Sequence, residues 1–209
     1  MIKKIIENLE KAKGLVLDFD GTLVDSNPIK LGAFEKCFAE YPQHFETIMA
    51  YCKGNNHIPR QVKFKFVFEN ILKIPYTAKI EKTMLDRYAT ETTEQVIAAP
   101  EIPGALKFLE RFALNRETAL LSSTPHETLL YILARRNWTR YFKEIRGAPV
   151  EKAVWVGEFL QNQHLKKEEI LFIGDSSEDA AAAAKAQVPF ISVGPTSFTN
   201  SLHHIRDFD

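Results

Sequence analysis

The sequence has little cysteine: Cys37 and Cys52 are the only two among 209 residues. Two thiols cannot build a disulfide framework, and they suit a reducing compartment. It also lacks a charge excess, with 27 basic and 27 acidic side chains and a net charge of zero. That balance removes any global pull toward nucleic acid or anionic lipid. Long apolar runs are missing too. The longest stretch without Lys, Arg, Asp or Glu, Ala186 to Ile205, carries Gln187, two prolines, two histidines and several hydroxyls, so it does not suit a bilayer. Lys3 and Lys4 are followed by no apolar h-region, so no signal peptide is expected. Ile2, Ile5, Ile6 and Leu9 instead fall on one face of a helix. No internal repeat appears at solenoid periods. The expectation is a soluble, cytoplasmic protein, monomer or homodimer, with no nucleic-acid or membrane partner.

What is present is ordinary globular composition, 45% hydrophobic and 26% charged, which excludes general disorder, collagen and coiled coil. The length suits one domain carrying a substantial insertion. Short apolar runs end abruptly in polar turn residues at Gly14–Phe19, Glu117–Ser122, Glu169–Gly174 and Pro189–Val193, with a weaker one near Phe142–Arg146. Helical patterns lie between them, at Gly104–Phe112, Pro125–Arg136, Val150–Gln161 and Glu178–Lys185. Apolar strands alternating with helices predict an α/β protein, its parallel sheet covered on both faces.

From Ser26 to Ala99 no convincing strand is visible. The segment reads as helical, with breaks at Tyr41-Pro42, Gly54-Asn55-Asn56, Pro59 and Pro75. It is far longer than a strand-to-helix loop, so it is read as a helical domain inserted after the first strand. The core is then residues 1–25 and 100–209, net −2, and the insert 26–99, net +2. Within it, Val62, Phe64, Phe66 and Phe68 alternate as in a strand, whereas Phe64, Val67, Phe68, Ile71 and Leu72 form a helical stripe. The helical surroundings favour helix.

The chemistry-bearing residues cluster at strand ends. Asp18-Phe19-Asp20-Gly21-Thr22 stands where the first strand stops, and Gly174-Asp175-Ser176-Ser177-Glu178-Asp179 closes a later one. In open parallel sheets the reactive crevice lies beyond the carboxyl ends of the strands. Residues i and i+2 point the same way, so two carboxylates there repel unless a cation intervenes or one holds a proton. Three or four in one crevice suit a hard ion such as Mg2+. Turn chemistry explains Asp-Gly, and helix capping explains the Ser176–Asp179 spacing. The recurrence of the pattern at two strand ends outweighs that plainer account.

Ser122-Ser123-Thr124-Pro125-His126-Glu127 follows another strand. Thr124 with Glu127 matches a capping box, and Pro125 suits the first helical position. Ser122, earlier at the strand tip, is a natural partner for a phosphate oxygen. Lys152 precedes the Asp175 cluster; the commoner fate of a lysine is the surface.

These four ordered pieces resemble the haloacid dehalogenase-like hydrolase superfamily, in its phosphoglycolate phosphatase-like or sugar-phosphatase branch. The carrying motifs are Asp18-Phe-Asp-Gly-Thr-Leu-Val-Asp-Ser26, Ser122 after Ala-Leu-Leu, Lys152, and Gly174-Asp-Ser-Ser-Glu-Asp179. The resemblance implies a doubly wound, Rossmann-like core with a helical cap inserted after the first motif. It implies Asp18 as nucleophile and Asp20 as general acid/base. It implies Mg2+ held by Asp18, Asp20 and Asp175, with Asp179 supporting the metal or orienting Lys152. Ser122, Ser123, Lys152, Gly21 and Thr22 would bind the phosphoryl group. The activity implied is a Mg2+-dependent phosphatase acting on a small phosphate monoester through an aspartyl-phosphate.

Asp20 argues against the dehalogenase branch, where no alkoxide needs a proton. The absence of histidine between Asp20 and His44 weakens a phosphomutase reading. Lys53 and Lys63 keep a phosphonate-cleaving reading open. A receiver-type phosphorylation module shares the aspartates, hydroxyl, lysine and Mg2+, but not a long insert after the first strand. Between Lys53 and Lys73 five basic residues stand against Glu69, mostly as a solvated helix face. Arg60 and Lys63 are the two expected to meet the substrate. His57 is read as an idle loop residue, and His203-His204 as a polar surface tail.

Overall fold

The structure, a computed structural model, describes residues 2–55 and 58–209; Asn56 and His57, within the break read above, lie outside the described residues. The chain divides into two compact units, Met1–Asp25 with Ala99–Asp209, and Ser26–Ala98.

The first unit is a six-stranded parallel sheet. Its strands are β1 (Gly14–Leu17), β2 (Glu117–Pro125), β3 (Glu144–Ala148), β4 (Ile170–Gly174), β5 (Phe190–Val193) and β6 (His203–Ile205), in the order β3-β2-β1-β4-β5-β6. β1 is central, pairing in parallel with β2 on one side and β4 on the other. Every residue of β1, β4 and β5 is buried. That explains the unbroken apolar runs of β1 and β4, since helices cover both faces of a parallel sheet. The covering helices include α1 (Ile2–Lys11), which buries Ile5 and Leu9 as the amphipathic pattern requires.

The second unit is helical: α2 (Asn27–Phe38), α3 (Phe45–Gly54), α4 (Arg60–Phe66) and α5 (Ala78–Ala98). The ambiguous stretch is helix; α4 runs into a wider π-helical stretch, Val67–Leu72. Phe64, Val67 and Phe68 are buried while Val62 and Phe66 are exposed, which is the helical stripe and not the strand alternation. The unit's core is aromatic. Phe34 packs on Phe64 and Tyr88 at ring separations of 5.3 and 4.8 Å, and Phe38 on Phe64 and Phe68 at 5.7 and 6.1 Å. Buried rings contribute about 2–3 kcal/mol each relative to exposure.

Back in the first unit, α6 (Ala105–Phe108) widens into a π-helical stretch, Leu109–Ala113. Then α7 (His126–Arg135) follows β2, α8 (Lys152–Asn162) precedes β4, and α9 (Ser177–Ala186) follows it. Two expectations are corrected. His203-His204 is no idle tail: with Ile205 it forms β6, paired in parallel with β5, and His204 Nδ1 lies 3.0 Å from the Ser192 hydroxyl. A three-residue edge strand carries too little periodicity to announce itself. The weak strand near Phe142 begins later, at Glu144. Among the described residues no helix is long and apolar enough to cross a membrane.

Candidate active site

β1 delivers Asp18 to the carboxyl edge of the sheet, and the Asp18 amide donates to the Ile173 carbonyl of β4 at 2.9 Å. Asp18 is buried, and its Oδ1 accepts from Lys152 Nζ at 3.0 Å. Lys152 is the first residue of α8 and equally buried, so its surface fate is not realised. Its second partner is Asp179 Oδ1 at 2.6 Å.

Asp179 carries two tasks on two oxygens. While Oδ1 holds Lys152, Oδ2 accepts from the Ser176 amide at 3.2 Å and the Ser176 hydroxyl at 2.6 Å. In return the Ser176 hydroxyl accepts from the Asp179 amide, completing a capping box at the start of α9. Helix capping and charge pairing, weighed as alternatives from sequence, are therefore met by the same side chain. Gly174 makes room for it: a Cβ there would stand 2.6 Å from Asp179 Cγ.

One oxygen from each of Asp18, Asp175 and Asp179 lies within 4.8 Å of the others. The Thr22 hydroxyl is 3.3 Å from both Asp18 Oδ2 and Asp175 Oδ1. Burial pushes the Asp18 carboxyl well above its usual range; Lys152 opposes this, while Asp179, Asp175 and Asp20 reinforce it. Burial alone would push Lys152 down, but Asp179 and Asp18 outweigh it and hold the ammonium above its ordinary value. Hard oxygen donors carrying more negative charge than Lys152 offsets are a fitting donor set for Mg2+. Asp18 and Asp175 fit the role of ligands best: Asp18 Oδ2 and Asp175 Oδ1 each meet the Thr22 hydroxyl at a long 3.3 Å, whereas Asp179 Oδ1 and Oδ2 are each held at 2.6 Å, by Lys152 and Ser176.

Asp20 stands apart from that trio and faces β2. Its Oδ2 accepts from the Ser122 hydroxyl at 3.3 Å and from the Thr124 hydroxyl at 2.8 Å. Ser123 turns its hydroxyl to Glu178 at 3.1 Å. The Gly21 amide is used within its own turn, donating to the Val24 carbonyl at 2.8 Å. The structure thus gathers Asp18, Thr22, Lys152, Asp175 and Asp179 into one cluster, with Asp20 and Ser122 hydrogen-bonded to each other at the tips of neighbouring strands.

Thr124 was read as a helix cap, and that expectation is corrected. Strand β2 runs through Pro125, which takes the cap position of α7 without any side-chain cap, and the Thr124 hydroxyl serves Asp20 instead. The available signal was parity: Thr124 is two residues after Ser122 on a strand, so both project to the same side.

In the helical unit, Arg60 and Lys63 both lie on α4. Arg60 is half-buried, its guanidinium 4.8 Å from the centre of the Tyr88 ring. Lys63 is buried; its Nζ donates to the Cys52 carbonyl at 3.4 Å and lies 4.9 Å from the Phe34 ring centre. A solvated helix face therefore does not describe Lys63. Burial pushes its pKa down to about 8, with Cys52 opposing and Lys30 assisting.

Residues 15–193 match the family model described as haloacid dehalogenase-like hydrolase. No curated protein is significantly similar in sequence. Among solved structures, CbbY from Rhodobacter sphaeroides, in complex with phosphate, aligns at 14% identity and a TM-score of 0.73, over 94% of this chain and 95% of that one. A predicted phosphoglycolate phosphatase from Haemophilus somnus aligns at 18% identity and 0.71, over 95% of each. YfnB from Bacillus subtilis, bound to magnesium, aligns at 17% identity and 0.71, over 94% and 95%. At such identities the likeness speaks for the fold. With its model matched over most of the chain, the protein belongs to the haloacid dehalogenase-like hydrolases.

Proposed function

We propose that the protein is a Mg2+-dependent phosphatase that hydrolyses a small phosphate monoester through an aspartyl-phosphate on Asp18. The observation that carries this reading is the buried Asp18 carboxylate, held by Lys152 inside a group of carboxylates, with a second, separately held carboxylate at Asp20. Mg2+, held by Asp18, Asp175 and the Asp20 segment, would offset the repulsion between the Asp18 carboxylate and an anionic ester.

Asp18 attacks phosphorus, forming one P–O bond as the ester P–O bond breaks. Asp20 gives its proton to the departing alkoxide. Water then attacks the same phosphorus and loses a proton to Asp20, which releases orthophosphate and restores the Asp18 carboxylate. Ser122 and Lys152 stabilise charge on the phosphoryl oxygens, with the backbone of Thr22 and Ser123 alongside, the Gly21 amide being engaged by the Val24 carbonyl. Support for a small substrate such as a sugar phosphate or a phosphoglycolate-like acid comes from the names of the structural neighbours, a predicted phosphoglycolate phosphatase among them. The helical unit would read the leaving group. Arg60 is the residue proposed to do so, since the Lys63 ammonium is already engaged with the Cys52 carbonyl.

The decisive experiment is turnover of a panel of phosphorylated metabolites, with orthophosphate and isomerised ester both measured. Asp18→Asn is expected to lower turnover by at least about 1,000-fold with the unfolding midpoint preserved. EDTA is expected to abolish turnover and Mg2+ to restore it. Robust hydrolysis by Asp18→Asn would overturn the mechanism, and an isomerised ester as the main product would replace the phosphatase with a mutase.

A further inference from the structure

We propose that Thr124 is the positioning residue for Asp20, fixing the carboxyl that hands its proton to the leaving group; this rests on the phosphatase reading above. Thr124 is buried at the end of β2, and its hydroxyl donates to Asp20 Oδ2 at 2.8 Å. Ser122 reaches the same oxygen, but at 3.3 Å. The two hydroxyls are not equivalent. The Ser122 oxygen accepts from the Thr124 amide at 3.1 Å, which leaves its single proton to be shared between Asp20 and any phosphoryl oxygen. Once Ser122 turns to an anionic substrate, the Thr124 hydrogen bond persists and holds Asp20.

A positioning residue must itself be held. The Thr124 backbone packs so closely on β3 that a Cβ at Gly147 would stand 2.5 Å from the Thr124 carbonyl oxygen and 2.5 Å from His126 Cα. The Gly147 amide also donates to His126 Nδ1 at 3.2 Å, tying β3 to the first residue of α7. The strand tip bearing Thr124 is therefore locked against β3 on either side of Pro125. A hydroxyl on that tip fixes the rotamer of Asp20 without touching the phosphorus or the metal ligands Asp18 and Asp175.

The test uses leaving groups that differ in their need for a proton. Phenyl phosphate has a poor leaving group and depends on general acid catalysis, whereas 4-nitrophenyl phosphate has a good one and does not. Thr124→Val is expected to lower kcat/KM, which reads the steps up to departure of the leaving group and not the later hydrolysis of the aspartyl-phosphate, by about 10- to 100-fold on phenyl phosphate and by less than about 3-fold on 4-nitrophenyl phosphate. Thr124→Ser, which keeps the hydroxyl, restores phenyl phosphate turnover. Thr124→Ala removes the hydroxyl without adding a methyl group, gives the same selectivity, and serves if the valine variant does not fold. Equal losses on both esters, or no loss on either, overturn the proposal. Asp20→Asn runs in parallel. Selective loss there without selective loss at Thr124 overturns the role of Thr124 alone. Unselective loss at Asp20→Asn removes the acid role of Asp20 and this proposal with it, while the Asp18 test still decides the phosphatase reading.

Discussion

Each unit of the protein buries a lysine to the same degree, Lys152 and Lys63 both retaining 4% exposure, and the two respond in opposite directions. Lys152 lies between Asp18 and Asp179 and is held in its charged form. Lys63 has a backbone carbonyl and an aromatic face, and its proton loosens to about pH 8. Desolvation acts downward on both. What differs is the company, so burial by itself predicts neither sign nor role. A carboxylate returns what desolvation takes from an ammonium; a carbonyl and a ring quadrupole return only part. The first unit has assembled a charged site, while the second has enclosed the Lys63 ammonium beside an aromatic core.

The sharpest way to break this contrast is to delete the Lys152 charge. Lys152→Met strands two buried carboxylates and is expected to cost about 3–5 kcal/mol in chemical unfolding at neutral pH, together with turnover. Wild-type stability in that variant would mean that the carboxylates find other compensation. The second largest effect has the opposite sign. An unfolded chain holds the Lys63 proton up to about 10.5, the folded chain only up to about 8. Between those values the unfolded state binds more protons, so folding stability rises with pH; below about 8 both states are protonated and the penalty is fully present. That penalty is on the order of 3 kcal/mol. Lys63→Met is therefore expected to be more stable than wild type at pH 7, with the difference shrinking as pH rises toward 10.5; unfolding curves at several pH values give the comparison directly. A Lys63→Met variant less stable than wild type at pH 7 would show that the ring and carbonyl contacts outweigh desolvation. The smallest effect is expected at Ser176→Ala, which removes a helix cap and one tether of Asp179 but leaves Asp179 facing Lys152. A loss of about 1 kcal/mol is expected. A much larger loss would show that the capping box, more than the lysine, orients Asp179.

Much of the fold was legible in the sequence because its signal is local. The runs Leu15–Leu17 and Ile170–Ile173 are apolar over their whole length, and Phe190–Val193 is broken only by Ser192; a sheet covered on both faces asks for that. The helical stripe of Phe64, Val67, Phe68, Ile71 and Leu72 resolved against a competing strand pattern because its five aligned positions outlast the four of Val62, Phe64, Phe66 and Phe68. The sixth strand was not legible, since His203–Ile205 is short, polar and half-buried at a sheet edge. In the site, strand-end position was enough to nominate Asp18, Asp20 and the Asp175 cluster. Thr124 was misread because a capping-box match is also local; parity along the strand from Ser122 would have placed its hydroxyl beside that of Ser122.

The sequence by itself determined the class of the fold, the edge of the sheet at which the carboxylates stand, and the helical character of the long segment after β1. Each of these follows from hydrophobic periodicity and turn chemistry within a few residues. Tertiary structure alone decided that Lys152 meets Asp18, 134 positions away, and Asp179, 27 positions away. It likewise decided that Thr124 meets Asp20 across 104 positions, and that Lys63 meets the Cys52 carbonyl and no carboxylate among the described residues. Hydrogen bonds and charge interactions depend on distances of a few ångströms between side chains remote in sequence, and no local pattern encodes those distances.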